Sequence, residues 1–351
     1  MTIVVNVATP PVEKQFYRTT AIITDQVDID TICFELNDLI VAGVETTSIT
    51  YKYARAYYAA NGLKKLILKP KIVDYQSSVL VGNQDFLFVF IDTDDVTEKN
   101  DFSLYIEDTK FLFVTQGLFS EEATNYTGRS RTILVGTEPI TLIATEYATG
   151  YNLFGDEAGN ALIMEDLVDI LSMDAGGALI TENDELITTT TLSEHAQYIS
   201  AYIVATLGNA KPAEKTWHFV DMGNLYPTEP IHENALYITE DYGVNVLYGG
   251  KTMSGEWIDV LILKTWLENA LQTQMFNLFY TTNKIPNTPS GLLQISNSVG
   301  QVLEIAHNLG GIEKDYKVDV VSGGGRNSKV TFTARLTGAI HDADIVGTVI
   351  F

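Results

Sequence analysis

The chain has 351 residues, with 45 acidic against 22 basic side chains and a formal net charge of −23. So acidic a chain is a poor partner for nucleic acid, because binding a phosphate backbone requires a basic surface. No apolar run approaches the roughly 20 residues that span a bilayer, and no signal peptide is recognisable. The chain has one cysteine, Cys33, so an internal disulfide framework is excluded. Cys33 is interpreted as a small buried hydrophobe.

The first part of the chain predicts an arm followed by a β-α-β unit. Residues 1–18 are interpreted as an extended N-terminal arm, because Pro10 and Pro11 remove two backbone donors after an apolar strand. Three elements are predicted next, in chain order: a core strand at Thr20–Thr24, a helix over 48–60 that ends at Asn61 and Gly62, and a strand at Leu66–Pro70. This alternation is typical of a mixed α/β sheet.

Residues 76–191 are predicted to form an inserted, acidic, β-rich outer domain. Its apolar runs are short enough for buried strands, and they lie at 86–91, 111–114, 131–135 and 140–144. A short amphipathic helix is predicted over 165–171. The chain returns to the body in a helix over 195–205, so the body is discontinuous and comprises 19–75 and 192–340.

Most of the negative charge lies in this region. Residues 81–190 hold 21 acidic and four basic side chains, a balance of −17, whereas the other 241 residues hold 24 acidic and 18 basic, a balance of −6. This distribution favours a solvent-facing module on a nearly neutral body that can pack against copies of itself. A random excess of surface acid explains the numbers equally well.

The last third of the chain predicts two long helices, a β-hairpin and a final strand. The first helix covers about 257–279, with apolar residues every three to four positions. The second begins with Thr288 as N-cap and Pro289 at the first helical position, and ends near Leu309. Alternating sequences at 316–321 and 329–336 predict a half-buried hairpin. Residues 341–351 are assigned as a C-terminal arm strand.

The chain is thus expected to begin and end on apolar strands, over 2–7 and 344–351. A terminal strand either pairs inside its own sheet or presents free N–H and C=O groups to another chain. The second possibility would make the protein a unit of an assembly.

Sites for catalysis or metal binding are weakly supported. The five histidines are far apart in the sequence and lack the spacing of a metal motif; they are His195, His218, His232, His307 and His341. Residues 92–95 resemble the start of a calcium loop, but Ser103 stands where that loop has a bidentate glutamate, so a solvated turn is favoured. The glycines at 323–325 lie between strands, not before a helix that would bind phosphate. We predict no catalytic residue, cofactor or metal, with an acidic hydrolase as an open alternative.

Several blocks of sequence together resemble the contractile tail sheath proteins of bacteriophages. The strongest lie between residue 248 and the end of the chain, at 248–260, 265–267, 284–291, 332–341 and 345–349. Residues 4–7 are similar to the N-terminal arm of that family, and 125–132 are a weaker match. The order and spacing of the blocks carry the resemblance more than any one block.

This resemblance implies a mixed α/β fold, with a sheath-type body, extended N- and C-terminal arm strands and an inserted outer β-rich domain. It also implies that the arms donate strands to a hairpin in neighbouring subunits. The N-terminal arm residues are Ile3, Val4, Val5 and Val7. The C-terminal arm residues are Ile345, Val346, Val349 and Phe351. The receiving hairpin residues are Val318, Val320, Val330, Phe332 and Ala334.

The implied function is that of a structural subunit that polymerises around the inner tail tube and contracts to drive the tube through the host envelope. The expected partners are other copies of the chain in a helical stack of rings, the inner tube protein, and baseplate and tail terminator proteins. Nucleic acid and membrane insertion are not expected. The expected location is the phage tail in the virion, after assembly in the host cytoplasm. The alternative is a non-contractile virion component of the baseplate or capsid type.

Overall fold

The computed structural model describes residues 19–60, 65–117, 120–137, 179–180, 186–187, 198–208, 210–223, 225, 227–228, 230–282, 284–323 and 327–339. Both predicted arms, the strand at 140–144 and the helix at 165–171 lie outside these residues.

A six-stranded sheet forms the centre of the molecule. Its strands are β1 (Thr20–Thr24), β2 (Thr31–Cys33), β3 (Leu66–Pro70), β4 (Phe88–Ile91), β5 (Leu112–Gly117) and β6 (Thr132–Gly136). The order is β2-β3-β1-β4-β5-β6, with β2 antiparallel to β3 and the other pairs parallel. Parallel strands are covered on both faces, which explains why these segments are nearly continuous apolar runs. The predicted strands at Thr20–Thr24 and Leu66–Pro70 are confirmed.

Helices cover both faces of this sheet. They are α1 (Leu36–Val41), α2 (Ile49–Ala59), α3 (Tyr75–Leu80), α4 (Val96–Ile106), α5 (Ser120–Thr124) and α6 (Ile199–Leu207). Side chains alternate between the faces along a strand, so Ile22 packs in the cluster with α1, α2 and α6, whereas Ile23 packs in the cluster with α3, α4 and α5. The result is a three-layer, doubly wound body.

Capping side chains fix where three of these helices begin. Ser48 Oγ accepts a hydrogen bond from the N–H of Tyr51 at 3.1 Å at the start of α2. Asp74 caps α3, and Asp95 accepts the N–H groups of two residues in the first turn of α4. Each cap satisfies amide groups that the helix leaves free, so these polar residues define local structure.

The structure differs from the predicted boundary of the outer domain. Strands β4, β5 and β6 lie within 76–191, yet β4 pairs directly with β1 of the body. The prediction that this domain starts at residue 76 is therefore wrong. Short apolar runs occur in buried parallel strands and in separate β-domains alike, and the sequence does not distinguish them.

A second group of strands follows α6. Strands β9 (Val220–Asp221), β10 (Tyr237–Asp241) and β11 (Val244–Tyr248) form an antiparallel sheet in the order β10-β11-β9. Two short strands, β7 (Leu179–Ile180) and β8 (Leu186–Ile187), pair with each other. The N–H of Leu236 donates to the carbonyl of Leu134 at 2.8 Å, and the N–H of Met253 donates to the carbonyl of Thr132 at 3.0 Å. These bonds attach the C-terminal half of the chain to the β6 edge of the central sheet.

Two long helices and a hairpin complete the described part. Helix α7 covers Ile258–Thr281 and α8 covers Pro289–Asn308, with Thr288 as N-cap residue. Strands β12 (Lys317–Ser322) and β13 (Ser328–Thr333) pair in antiparallel fashion. Both predicted long helices and the predicted hairpin are confirmed, because they carry strong periodicity and clear start signals.

Candidate assembly interface

The β12–β13 hairpin brings the five predicted receiving residues onto one face. Val318 lies opposite Phe332, and Val320 lies opposite Val330. Directly opposed residues in an antiparallel pair point to the same side, and Ala334 shares that side because it is two residues beyond Phe332. The hairpin therefore has one apolar face.

This apolar face is directed toward the helices. Val318, Val330 and Ala334 are partly buried against the core cluster that contains α7 and α8. On the opposite face of the hairpin, Lys317 is paired with Thr333. All described residues of that face are exposed. The predicted alternation of inward apolar and outward polar residues is thus present in both strands, except at Val321, which lies on the outer face and is 54% exposed.

Polar contacts at its base attach the hairpin to α8 and to itself. The hydroxyl of Tyr316 donates to the carboxylate of Glu304 in α8 at 2.7 Å, and this bond raises the pKa of Tyr316. The N–H of Glu313 donates to the carbonyl of Arg335 at 2.9 Å, and their side chains form an ion pair at 3.1 Å. The orientation of the hairpin relative to the body is consequently fixed at its base.

The edges of this hairpin are its most distinctive feature. Among the described residues, β12 and β13 pair only with each other, and the bridge between Ile312 and Leu336 lies beyond them. Each strand therefore has one side that pairs with no third strand among the described residues. Such an edge is a template for an added strand, and a two-stranded sheet gains stability from a third.

Phe332 marks the exposed part of the apolar face. Its side chain is 41% exposed, although it lies on the same face as the partly buried Val330. An added strand beside β13 would continue this face and cover the ring. Residues Ile3 to Val7 and Ile345 to Phe351 lie outside the described residues, so their position relative to the hairpin stays a prediction.

A second candidate site is the point where the sheet winding reverses. Strands β1 and β4 are neighbours, but their following helices α2 and α4 cover opposite faces, and doubly wound proteins bind ligands at such a point. Here Asp92 Oδ2 accepts hydrogen bonds from the hydroxyls of Thr24 and Thr50, each at 2.7 Å. Asp94 and Asp95 are exposed, as a solvated turn predicts. The Asp92 carboxylate thus joins β1, β4 and α2.

Replacing Asp92 with alanine is expected to destabilise the body. The change removes two hydrogen bonds to a charged acceptor, each contributing about 1.5–3 kcal/mol, but part of the loss is recovered because the Thr50 hydroxyl can still donate to Thr24 Oγ1 at 2.8 Å. We expect a loss of about 2–4 kcal/mol in unfolding free energy, measured by thermal or chemical denaturation. Asp94→Ala is the matched control, because its side chain is 73% exposed. Equal stability of the two variants would contradict the structural role of Asp92.

Within the described ranges, no group of three or more histidine, cysteine, aspartate or glutamate residues is placed to hold a metal ion. Over the same part of the chain, no helix combines the length and apolar character needed to cross a membrane.

Comparisons with known proteins agree on one fold. Residues 258–319 match the family described as "E217 tail sheath protein gp31-like, C-terminal domain", a span that contains α7, α8 and the start of β12. The helical sheath of the anti-feeding prophage in its contracted state matches with a TM-score of 0.61 and 11% identity, over 94% of this chain and 92% of that one. The chain has the tail sheath fold. The resemblance seen in the sequence is confirmed.

Two further solved structures share this sheath fold. A chain in the six-fold symmetrised baseplate of the anti-feeding prophage matches with a TM-score of 0.60 and 10% identity, over 96% of this chain and 94% of that one. The sheath tail protein Lin1278 from Listeria innocua matches with a TM-score of 0.50 and 9% identity, over 91% of this chain and 94% of that one. No curated protein matches the sequence.

Proposed function

We propose that the chain is a structural, non-enzymatic subunit of a contractile phage tail sheath. The observation that carries the proposal is a two-stranded hairpin that pairs with no third strand among the described residues, attached to a body with the sheath fold. The match of residues 258–319 to a tail sheath C-terminal domain supports it independently of the fold. The subunits would be components of a virion tail, assembled in the host cytoplasm.

In this proposal, copies of the chain join by strand donation. Residues Ile3 to Val7 and Ile345 to Phe351 add strands to the β12–β13 hairpins of neighbouring copies. A donated strand makes about four or five main-chain hydrogen bonds, each contributing roughly 0.5–1.5 kcal/mol net. Two arms in each subunit connect every copy to several others, so the mesh is stronger than any single contact.

Contraction would use the rigidity of the body. If the donated strands stay paired while the arm linkers bend, the bodies rotate and slide as units. A small free-energy difference for each subunit adds over many rings and drives the inner tube through an envelope. The extended sheath would then be held kinetically until it is triggered. The inner tube, baseplate and tail terminator proteins are the corresponding partners.

The proposed domain organisation places the acidic outer insertion later in the chain than the sequence indicates. Strand β6 ends at residue 136 and helix α6 begins at residue 199, and both belong to the body. We place the insertion between these elements. Residues 138–178 alone contain eight of the acidic side chains and carry no lysine or arginine, which suits a solvent-facing module.

Electron microscopy of the purified chain tests the proposal. Hollow helical tubes are expected once the protein is concentrated, since self-assembly is the proposed activity. Discrete rings or closed shells would instead favour a non-contractile baseplate or capsid component. The likeness to a chain of the anti-feeding prophage baseplate is the observation that favours this second candidate. A chain that stays monomeric at high concentration would contradict both.

A further inference from the structure

Helices α7 and α8 contain a long segment that is almost free of charge. Between Glu268 and Glu304 the only charged side chain is that of Lys284, in a chain whose net charge is −23. Charged side chains make up 19% of the whole chain, so a stretch of this length would ordinarily carry six or seven. The segment therefore differs from the rest of the protein in its electrostatics.

The second half of α7 extends beyond the core. Its fully buried residues end at Ala270, although the helix continues to Thr281. Leu271 and Met275 are still partly buried against the helical cluster. The last 11 residues of the helix, about 16 Å at 1.5 Å per residue, thus present their other side to solvent.

Large apolar side chains occupy that exposed side. Phe276 is 62% exposed, Phe279 is 57% exposed and Tyr280 is 74% exposed. The rings of Phe276 and Tyr280 are stacked with their centroids 5.8 Å apart, and Leu293 of α8 is also exposed. We call these four residues the aromatic surface. Its composition is that of an interface core, where aromatic residues are enriched and charged residues are depleted.

The charge of the chain indicates which partner this surface fits. A carboxylate buried between two copies would lose its hydration unless a basic side chain paired with it, and the aromatic surface contains no charged side chain that would carry this cost. A basic partner would be recognised through acidic side chains, which the aromatic surface lacks. A neutral, apolar surface of this kind lets copies of an acidic chain approach each other at low cost.

The aromatic surface and the proposed strand-exchange site are linked through α8, which carries Leu293 and packs against β12. Tyr316 is also bonded to Glu304 of α8. A neighbour held by the hairpin is therefore connected to the same rigid unit that carries the aromatic surface. We propose that the aromatic surface packs against a second copy of this chain, as a body-to-body contact separate from strand exchange. This inference rests on the proposed function, because strand exchange brings the copies together.

Site-directed photocrosslinking tests the partner directly. A Tyr280→Cys variant of the full chain is labelled with benzophenone maleimide and irradiated. Cys33 does not compete for the label, because its side chain is fully buried. Burial, and to a smaller extent the negative charge of Asp38, also raises the pKa of the Cys33 thiol to about 11, so little reactive thiolate is present. The expected product has the mass of two chains, with the adduct mapped by mass spectrometry to a peptide of a second copy. Val73→Cys, at an 80% exposed position, is the matched control and should give at least five-fold less product.

Charge substitution gives an independent readout. The double variant Phe276→Glu, Tyr280→Glu should raise the concentration required for assembly at least ten-fold, measured by sedimentation, without changing the circular dichroism spectrum. The control, Val41→Glu with Val73→Glu, adds the same charge at two exposed apolar positions and should change it less than two-fold.

The outcomes separate this inference from the proposed function. Tubes that form normally while Tyr280→Cys gives no product with a second copy would overturn the aromatic contact and leave the sheath assignment intact. Crosslinked pairs from a chain that never forms tubes would support the contact and contradict the sheath assignment. A crosslink formed only after an inner tube protein is added, and only to that protein, would also overturn the contact between copies.

Discussion

Removing residues 1–8 is expected to give a folded, soluble subunit that no longer forms tubes. The first described strand, β1, begins at Thr20, and the described core is built without the deleted residues. The deletion removes a donated strand worth several kcal/mol, from about four or five hydrogen bonds of roughly 0.5–1.5 kcal/mol each. Since about 1.4 kcal/mol corresponds to a factor of ten, the assembly concentration should rise about 100-fold or more. Sedimentation and electron microscopy measure this change, and circular dichroism verifies the fold.

A pair of point variants provides the control for this deletion. Val5→Pro removes one main-chain donor and should weaken assembly, because strand pairing requires backbone N–H groups. Val5→Thr keeps a β-branched side chain and the N–H group, so its assembly should be close to that of the unchanged chain. Long tubes formed by the deletion variant would contradict strand donation by the N-terminal arm.

Much of the described fold is predictable from the sequence because particular segments carry strong local signals. Thr20–Thr24 and Leu66–Pro70 are short apolar runs, as strands buried on both faces must be. Pro289 at the start of α8 and the absence of proline and glycine within α7 locate those helices. The pairing of Val318 with Phe332 follows from alternation in both strands of the hairpin.

Other parts depend on contacts between distant segments and were not predictable. Helix α4 carries mixed charged and apolar residues, and its place against the sheet depends on Phe102 and Ile106 fitting a surface that β4 and β5 create. The role of Asp92 is similar, since its partners Thr24 and Thr50 are 68 and 42 residues away. Long-range contacts of this kind leave no periodic pattern in a single sequence.

The candidate interface also has features that the sequence predicts and features that it does not. Alternation predicts that Val330 and Phe332 share a face, but it does not indicate that Val330 packs against the helices while Phe332 stays partly exposed. The regular spacing of apolar residues in α7 suggests a buried helix throughout, whereas the aromatic surface is exposed. The signal that distinguishes its second half is the lack of charged residues after Glu268.

Replacing Phe332 with aspartate is expected to abolish tube formation and leave the subunit folded. The ring is 41% exposed in the described chain, so the free subunit loses little packing, and unfolding free energy should fall by less than about 1 kcal/mol. In the assembled state the same position would face a donated apolar strand, where an unpaired carboxylate is costly to bury. The two effects are measured by denaturation and by electron microscopy.

Two neighbouring substitutions in β13 distinguish a blocked interface from a damaged fold. Val330→Asp should lower unfolding free energy by about 2–4 kcal/mol, because Val330 packs against the helices. Thr331→Asp lies on the exposed polar face, so both stability and assembly should be retained. If Phe332→Asp formed tubes as readily as Thr331→Asp, the apolar face of the hairpin would not receive a strand. The neighbour would then have to bind elsewhere on the body, and the aromatic surface of α7 and α8 would be the first candidate to test.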